Sequence, residues 1–396
     1  MTPPISPANE KETAEAVAEA HATHRPFAIE GGGTRTGLGR PVEAEASLST
    51  RKLTGITLYE PAELVISARA GTQLAEIEAT LATSGQRLAF EPMDHRRIYG
   101  TECAPTIGAI AACNISGPRR INGGAARDHL IGLRLVNGRG EIVKTGGRVM
   151  KNVTGLDLVK LSCGAHGTLG VLTEVTFKVL PRAERTGTLA IAGLDDANGV
   201  AALNTALGSP YQILGAAHLP ADLAGTEALT LLRIEGPQAG IVYRLGALQT
   251  LLRPYGSAEI LDEKRASDLW CDIRDAACLA EPRDAAMWRL SVAPTRGPAI
   301  VEAIGNTLEV RHFYDLGGGL IWLVTAPAGD AGAAAIRAAL AGVGGHATLI
   351  RASDSLRKEV PVFEPLSDPL MKITTGIKLS FDPDRILNPG RMYPGL

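Results

Sequence analysis

Between Thr106 and Gly117 no side chain is larger than isoleucine: Thr106-Ile107-Gly108-Ala109-Ile110-Ala111-Ala112-Cys113-Asn114-Ile115-Ser116-Gly117. Such a run lets main chain approach whatever lies against it, because its glycines carry no Cβ and tolerate positive φ. Two partners fit: a tightly packed helix, or a flat, bulky ligand laid along the backbone. A basic, glycine-rich turn follows at 118–128, and a third stretch, Gly164-Ala165-His166-Gly167-Thr168-Leu169-Gly170-Val171, precedes Pro181. Three such runs, with 45 glycines against only 4% aromatic residues, move the balance towards a large bound cofactor.

Length sets the scale: 396 residues are long for one domain and suit two, each with its own core. A formal net charge of −2 gives no electrostatic reason to expect nucleic acid or an anionic membrane surface as partner. The five cysteines include no Cys-x-x-Cys pair, which argues against an iron–sulfur cluster or zinc knuckle and fits a reduced, cytoplasmic setting. The first residues, Met1-Thr2-Pro3-Pro4-Ile5-Ser6-Pro7, lack a signal-peptide pattern, and no apolar run approaches the ~18–20 residues of a membrane span.

In the first half, a helix at 10–21 leads to a short strand at 26–30 and then to Gly31-Gly32-Gly33-Thr34-Arg35-Thr36-Gly37. Successive glycines after a strand form a nest of N–H groups suited to a diphosphate, although a plain turn reads the same way. The loop is neither a Walker loop, since Leu38 follows Gly37, nor a Rossmann fingerprint, since Thr36 takes the place of its last glycine. Strands are expected at 47–49, 55–59 and 64–70, and a helix at 73–84 with Leu74, Ile77 and Leu81 at helical spacing. Asn137-Gly138 between apolar runs at 130–136 and 141–144 predicts a hairpin.

In the second half, strands are expected at 188–194, 212–218, 229–235, 288–293, 310–314, 320–325 and 348–351. Helices are expected at 197–207, 239–252, 267–279, 298–308 and 331–340. Paired strands between helices suit an antiparallel sheet with helices on one side.

Taken in order, several of these pieces resemble the FAD-binding domain of the vanillyl-alcohol-oxidase (p-cresol-methylhydroxylase) type, over about 26–182. They are the Gly-Gly-Gly-Thr loop, Gly71-Thr72 opening a helix, Glu91-Pro92, Arg127-Asp128, Val149-Met150-Lys151-Asn152-Val153-Thr154-Gly155, and Gly167-Thr168-Leu169-Gly170-Val171. Within that group the chain is most similar to the FAD-binding subunit of bacterial glycolate oxidase. Its tail, Phe381-Asp382-Pro383-Asp384-Arg385-Ile386-Leu387-Asn388-Pro389-Gly390-Arg391, resembles the segment that returns to the flavin domain. The resemblance implies an α+β fold with a two-subdomain FAD-binding domain at 1–183 and a cap with an antiparallel sheet and flanking helices at 184–375. The returning segment would be 376–396.

It also implies a set of roles. Gly31, Gly32, Gly33 and Thr34 would hold the pyrophosphate, and Thr106, Ile107, Gly108 and Ala109 would pass along the isoalloxazine and ribityl chain. Asn114, Ser116 and Gly117 would lie nearby, and the Val171 backbone would meet the adenine. Covalent relatives often carry a His in the first loop; here Gly and Thr stand there, so the FAD should be non-covalent. His166 reads as a loop residue. Arg274, Arg283, Arg289 and Lys372 could bind a carboxylate, although each reads first as a surface cation or salt-bridge partner.

One departure from the pattern matters. Relatives that oxidise D-2-hydroxy acids carry a metal-binding His-x-Gly-Asp-Gly-Asn-x-His in the cap, where this chain has Asp315-Leu316-Gly317-Gly318-Gly319-Leu320-Ile321-Trp322. His312 is at the wrong spacing. No metal site is expected and no catalytic residue is assigned. The resemblance implies a small hydroxy acid as substrate, with a second flavin subunit and an iron–sulfur subunit as partners. Any contact with the inner membrane would be made through them.

Overall fold

The computed structural model describes residues 4–44, 46–147 and 155–396. Of the motif at 149–155, residues 149–154 lie outside the described residues. The first helix, Glu10–Thr23, is capped by Asn9, whose side chain accepts from the Glu12 N–H at 2.9 Å, while the Glu12 carboxylate accepts from the Ala8 N–H. It buries Thr13, Val17 and Ala20 on one stripe and ends at His24 in the left-handed region (φ 52°).

Strand Phe27–Glu30 pairs in parallel with Ala46–Ser49, and single bridges extend this ribbon on both sides, through Ile5 to Leu48 and through Leu387 to Phe27. Behind it a five-stranded antiparallel sheet runs in the order Ile56–Glu60, Val65–Arg69, Val171–Lys178, Leu130–Val136, Ile142–Gly146. The expected hairpin joins the last two, but its positive-φ residue is Gly140. Gly138 is small for another reason: a Cβ there would lie 2.4 Å from the Asp382 carboxylate. The small-residue run becomes the short buried helix Ile107–Cys113, ending at Asn114 with φ 50°. Both readings of that run hold. A Cβ on Gly108 would come within 2.7 Å of the Ala70 carbonyl, so the helix packs tightly, and the same residue faces a cavity.

The second sheet is eight-stranded and antiparallel, in the order Ala258–Ile260, Arg185–Ala192, Leu229–Gly236, Gly215–Leu219, Arg311–Asp315, Leu320–Thr325, Ala286–Ser291, His346–Arg351. Helices Asp196–Leu207, Gln238–Leu252, Gly297–Gly305 and Ala333–Leu340 cover one face through Leu189, Ile191, Trp288, Leu290, Ile321 and Leu323. The expectation of helices on one side alone needs correction. Helix Glu263–Arg274 lies on the other face, its Trp270 donating to Thr188 at 3.0 Å beneath the Arg233 guanidinium. That face alternates in register with the first and joins the N-terminal core, with Ala190, Ala217, Leu231, Phe313 and Trp322 in one continuous cluster with Phe90, Ile98 and Ile110.

Charge ties the two halves together as well. Glu91 accepts from Arg119 and from both terminal nitrogens of Arg233 (3.0 and 2.7 Å), while Glu235 pairs with Arg87 and Arg119. Arg351 donates to the carbonyls of Ile98, Ala280, Pro282 and Ala285. The tail is fixed by a buried pair: Lys378 Nζ donates to Asp382 Oδ2 (2.7 Å) and to the carbonyls of Thr168 and Leu387 (each 2.8 Å). Asn388 then accepts from the Ile29 N–H and donates to the His166 carbonyl, both at 2.8 Å.

Candidate functional site

A cavity of about 630 Å³ opens where the first strand, the buried helix, the third glycine stretch and the tail meet. One wall is main chain. Gly31, Gly33 and Thr34 of the first loop face Gly108, Ala109 and Ala112 of the helix across it. Among the described residues the N–H groups of Gly32, Gly33 and Thr34 have no hydrogen-bond acceptor. Arg51 sets their direction: its guanidinium donates to the carbonyls of Gly31 (3.3 Å) and Gly32 (2.8 Å). In a trans peptide C=O and N–H point opposite ways, so this turns the N–H groups of Gly32 and Gly33 away from Arg51. Unpaired successive N–H groups form an anion nest.

The remaining wall is made of side chains from distant segments: Arg35, His166, Asp354, Arg357, Asn388 and Arg391. Arg35 donates to His95 Nδ1 at 3.2 Å, Arg357 to the Gly39 carbonyl at 2.6 Å, and Arg391 to the Leu38 carbonyl at 3.0 Å. Arg35 and Arg391 are thus held by uncharged acceptors, so their positive charge remains available to the cavity, whereas Arg357 also donates to the Asp354 carboxylate at 2.5 Å. Burial lowers the pKa of both Arg35 and Arg391. It drives His166 down to about 3, with Arg391 and Arg289 adding to the shift, so His166 is neutral. The thiol of Cys113, also in the lining, is raised by burial and stays protonated.

Of the twelve residues singled out from the sequence, Gly31, Gly33, Thr34, Gly108 and Ala109 line the cavity. Gly32 lies behind it, and a Cβ there would sit 1.9 Å from the Ala104 carbonyl oxygen. Thr106 is buried beside Gly31, and its hydroxyl is left without a partner. Ile107 points into the core, and Val171 joins Val17, Phe27 and Leu387 in a separate cluster between the lining residues Gly170 and Leu172.

Asn114, Ser116 and Gly117 hold the following loop and do not line the cavity. The Asn114 carboxamide accepts from the Arg127 N–H, the Ser116 hydroxyl accepts from the Ala126 N–H, and Gly117 donates to the Phe90 carbonyl, each at 2.9 Å. Arg35, Arg357, Asn388 and Arg391 carried no sequence spacing that marked them for this wall. Arg274 pairs with Asp275, and Arg283 with Glu281 in an exposed surface pair.

At the place of the relatives' metal motif, Asp315 is buried and its carboxylate accepts from the Leu316 N–H at 2.7 Å. Trp322 stacks on Phe313. His312 turns to the opposite face of the sheet, 2.7 Å from Asp196, which also accepts from Tyr314 at 2.9 Å. Among the described residues no three His, Cys, Asp or Glu side chains are grouped to hold a metal ion. No helix among them is long and apolar enough to cross a membrane.

A cavity with an N–H nest, a small-residue helix for a flat ring and the guanidinium groups of Arg35 and Arg391 suits a dinucleotide cofactor. The unpaired N–H groups of the first loop are the polar atoms such a ligand would satisfy. The fold is that of p-cresol methylhydroxylase and its structural neighbours, and the sequence relatives make the chain an FAD-linked oxidoreductase. Residues 4–146 match the FAD binding domain family. The chain is similar to 4-ethylphenol oxidase from Gulosibacter chungangensis, at a TM-score of 0.74 and 15% identity over 98% of this chain and 89% of that one. It is 34% identical over 384 residues to the glycolate oxidase subunit GlcE of Escherichia coli, covering 96% of this chain and 97% of the relative. It is also 37% identical over 130 residues to the glycolate oxidase subunit GlcD of Bacillus subtilis, covering 33% of this chain and 26% of that relative. The chain belongs to the glycolate oxidase subunit family of FAD-linked oxidoreductases.

Proposed function

We propose that this chain is the GlcE-type FAD-carrying subunit of an enzyme that oxidises glycolate to glyoxylate, working beside a GlcD-type flavin subunit and an iron–sulfur subunit. Residues 1–183 and 376–396 would form the cofactor domain and 184–375 the cap. The observation that carries the reading is the nest of unpaired N–H groups at Gly32, Gly33 and Thr34 in the arginine-lined cavity. FAD, when bound, supplies hydride acceptance and onward electron transfer. The chain's residues do the rest.

The nest and Thr34 would hold the diphosphate, with Arg35 and Arg391 adding positive charge, while Arg357 is already paired with Asp354. Gly108, Ala109 and Ala112 would let the ring lie against the backbone. The first loop carries Gly and Thr where covalent relatives often carry a His, so the cofactor would be held non-covalently. Oxidising a hydroxy acid also requires the hydroxyl proton to be removed. Among the described lining residues, Asp354 is paired with Arg357 and burial lowers His166 to about 3, so both are weak bases for that step, which favours turnover in the assembled complex over turnover by this chain alone. The subunit would be cytoplasmic, meeting the inner membrane through its partners.

The test is an anaerobic titration of the purified yellow protein with glycolate, alone and coexpressed with GlcD-type and iron–sulfur subunits. Bleaching is expected only in the complex, and acid precipitation should leave FAD in the supernatant. Rapid bleaching of the isolated chain would refute the shared-site reading, and flavin in the pellet would refute the non-covalent one.

A further inference from the structure

The inward face of the eight-stranded sheet carries several charged side chains, and nearly all are paired. Arg233 is held by Glu91, Glu235 by Arg87 and Arg119, and Arg311 by Asp222. Arg289 is the exception. It lies in the cross-strand row Phe313, Trp322, Arg289, Thr348, on the side opposite Trp288 and Leu290, whose side chains enter the outer core. Strand alternation therefore aims it inward, towards the segments that build the cavity. The guanidinium is half-buried and has no hydrogen bond, ion pair or ring partner among the described residues.

Its electrostatic neighbours are also free of acid. Arg120, an exposed residue of the basic turn with no side-chain partner of its own, is the charge that acts on Arg289 most. Burial, with Arg120 adding to it, holds the guanidinium down to about 10. The positive charge of Arg289 is in turn felt by His95, by His346 and by His166 in the cavity lining. A planar guanidinium kept partly out of water without a counter-charge is costly in the free protein, and a carboxylate is the anion its fork fits in two parallel bonds.

We propose that Arg289, with Arg120 beside it, forms a binding site for the carboxylate of a small organic acid between the eight-stranded sheet and the cofactor cavity. The inference rests on the FAD-subunit reading but reaches past it. Although the residues at the relatives' metal motif are changed, the chain keeps its own acid-recognising site on the inward face of the eight-stranded sheet, whether or not the acid is turned over there. Arg274 and Arg283, equal candidates by sequence, are already paired with Asp275 and Glu281.

The test uses the full chain with FAD bound, titrated with oxalate while the flavin absorbance is followed, and with neutral oxamide and inorganic sulfate as comparisons. Oxalate should perturb the flavin spectrum and oxamide should not. Arg289→Met should weaken oxalate binding at least about tenfold, Arg289→Lys should recover part of the loss, and FAD content should be unchanged. Since Arg289 has no partner to lose, the melting temperature of Arg289→Met without oxalate should equal or exceed that of the wild type.

Wild-type oxalate affinity in Arg289→Met, oxamide binding as well as oxalate, or a lower melting temperature would each overturn the site. Sulfate binding as tightly as oxalate would replace a carboxylate site by a general anion site. A wild-type protein that holds FAD and ignores every acid sinks this inference and leaves the FAD reading standing. A protein that holds no FAD sinks both.

Discussion

The two walls of the cavity are built from different materials. The wall formed by 31–34 and 106–113 is main chain, and its side chains are mostly absent or methyl-sized. The facing wall is made of long side chains, Arg357 from a short helix and Asn388 and Arg391 from the tail, each anchored on a carbonyl or amide far away in sequence. The first wall depends on what is missing and so tolerates no added atom. The second depends on anchors, and fails when an anchor is cut.

The sharpest way to break this contrast is Gly32→Asp. Its Cβ would be driven against the Ala104 carbonyl at 1.9 Å, and its charge would stand beside the phosphate nest. Overpacking of this kind costs about 1–3 kcal/mol before charge is counted, and the purified variant should carry almost no FAD. Wild-type flavin content would show that the loop is an ordinary turn.

Next in size is Lys378→Met, which leaves the buried Asp382 carboxylate without its cation and should cost ~3–5 kcal/mol in denaturant unfolding. Because the released tail carries Asn388 and Arg391, FAD should also dissociate faster. The double change Lys378→Met with Asp382→Leu should recover part of the stability, since no charge is then left buried. A large loss of stability with unchanged FAD release would detach the tail from the second wall.

The smallest effect concerns pH. Burial pushes the Asp315 carboxyl up to about 7, against the Leu316 N–H and Arg233, which lower it. An unfolded Asp titrates near ~3.9, so between these values the folded state binds the extra proton and stability falls as pH rises. The slope approaches ~1.4 kcal/mol per pH unit at its steepest, and Asp315→Asn should remove this contribution. Unfolding midpoints at pH 5, 6, 7 and 8 measure it. An unchanged slope in the variant would mean that Asp315 ionises normally.

The same contrast explains what could be read from the sequence. Gly31 to Gly33 and the helix Ile107–Cys113 were legible because close backbone approach demands small residues at neighbouring positions. Asn114, Ser116 and Gly117 belong to the same run, and composition alone does not separate residues that face a cavity from residues that shape the loop behind it. Arg357 was illegible because its meaning lies in the Gly39 carbonyl, 318 residues away. Helix Asp368–Phe381 escaped prediction for a related reason: its one buried residue is Lys378, while Leu370 and Ile373 face outwards, so it shows no apolar stripe turned to a core. The strand Ala258–Ile260 is a short edge with little apolar signal. Asp315 and Trp322 could be recognised as departures from a pattern, but only the strand register shows His312 turned to the other face.

The ribbon that joins Ile5, Leu48, Phe27 and Leu387 has a consequence in time. Its outer thread is made long after its first strand, and Phe27 donates to the carbonyl of Ile386 at 2.7 Å. During synthesis the first strand must wait, one edge unpaired, while more than three hundred residues emerge and the eight-stranded sheet forms between the two partners. Contacts of such long sequence separation form late. The nest at Gly32 and Gly33 can therefore exist early, but the tail's part of the opposite wall cannot. A nascent chain without its tail has half a binding site, and tight cofactor capture becomes a report that the tail has been made and docked.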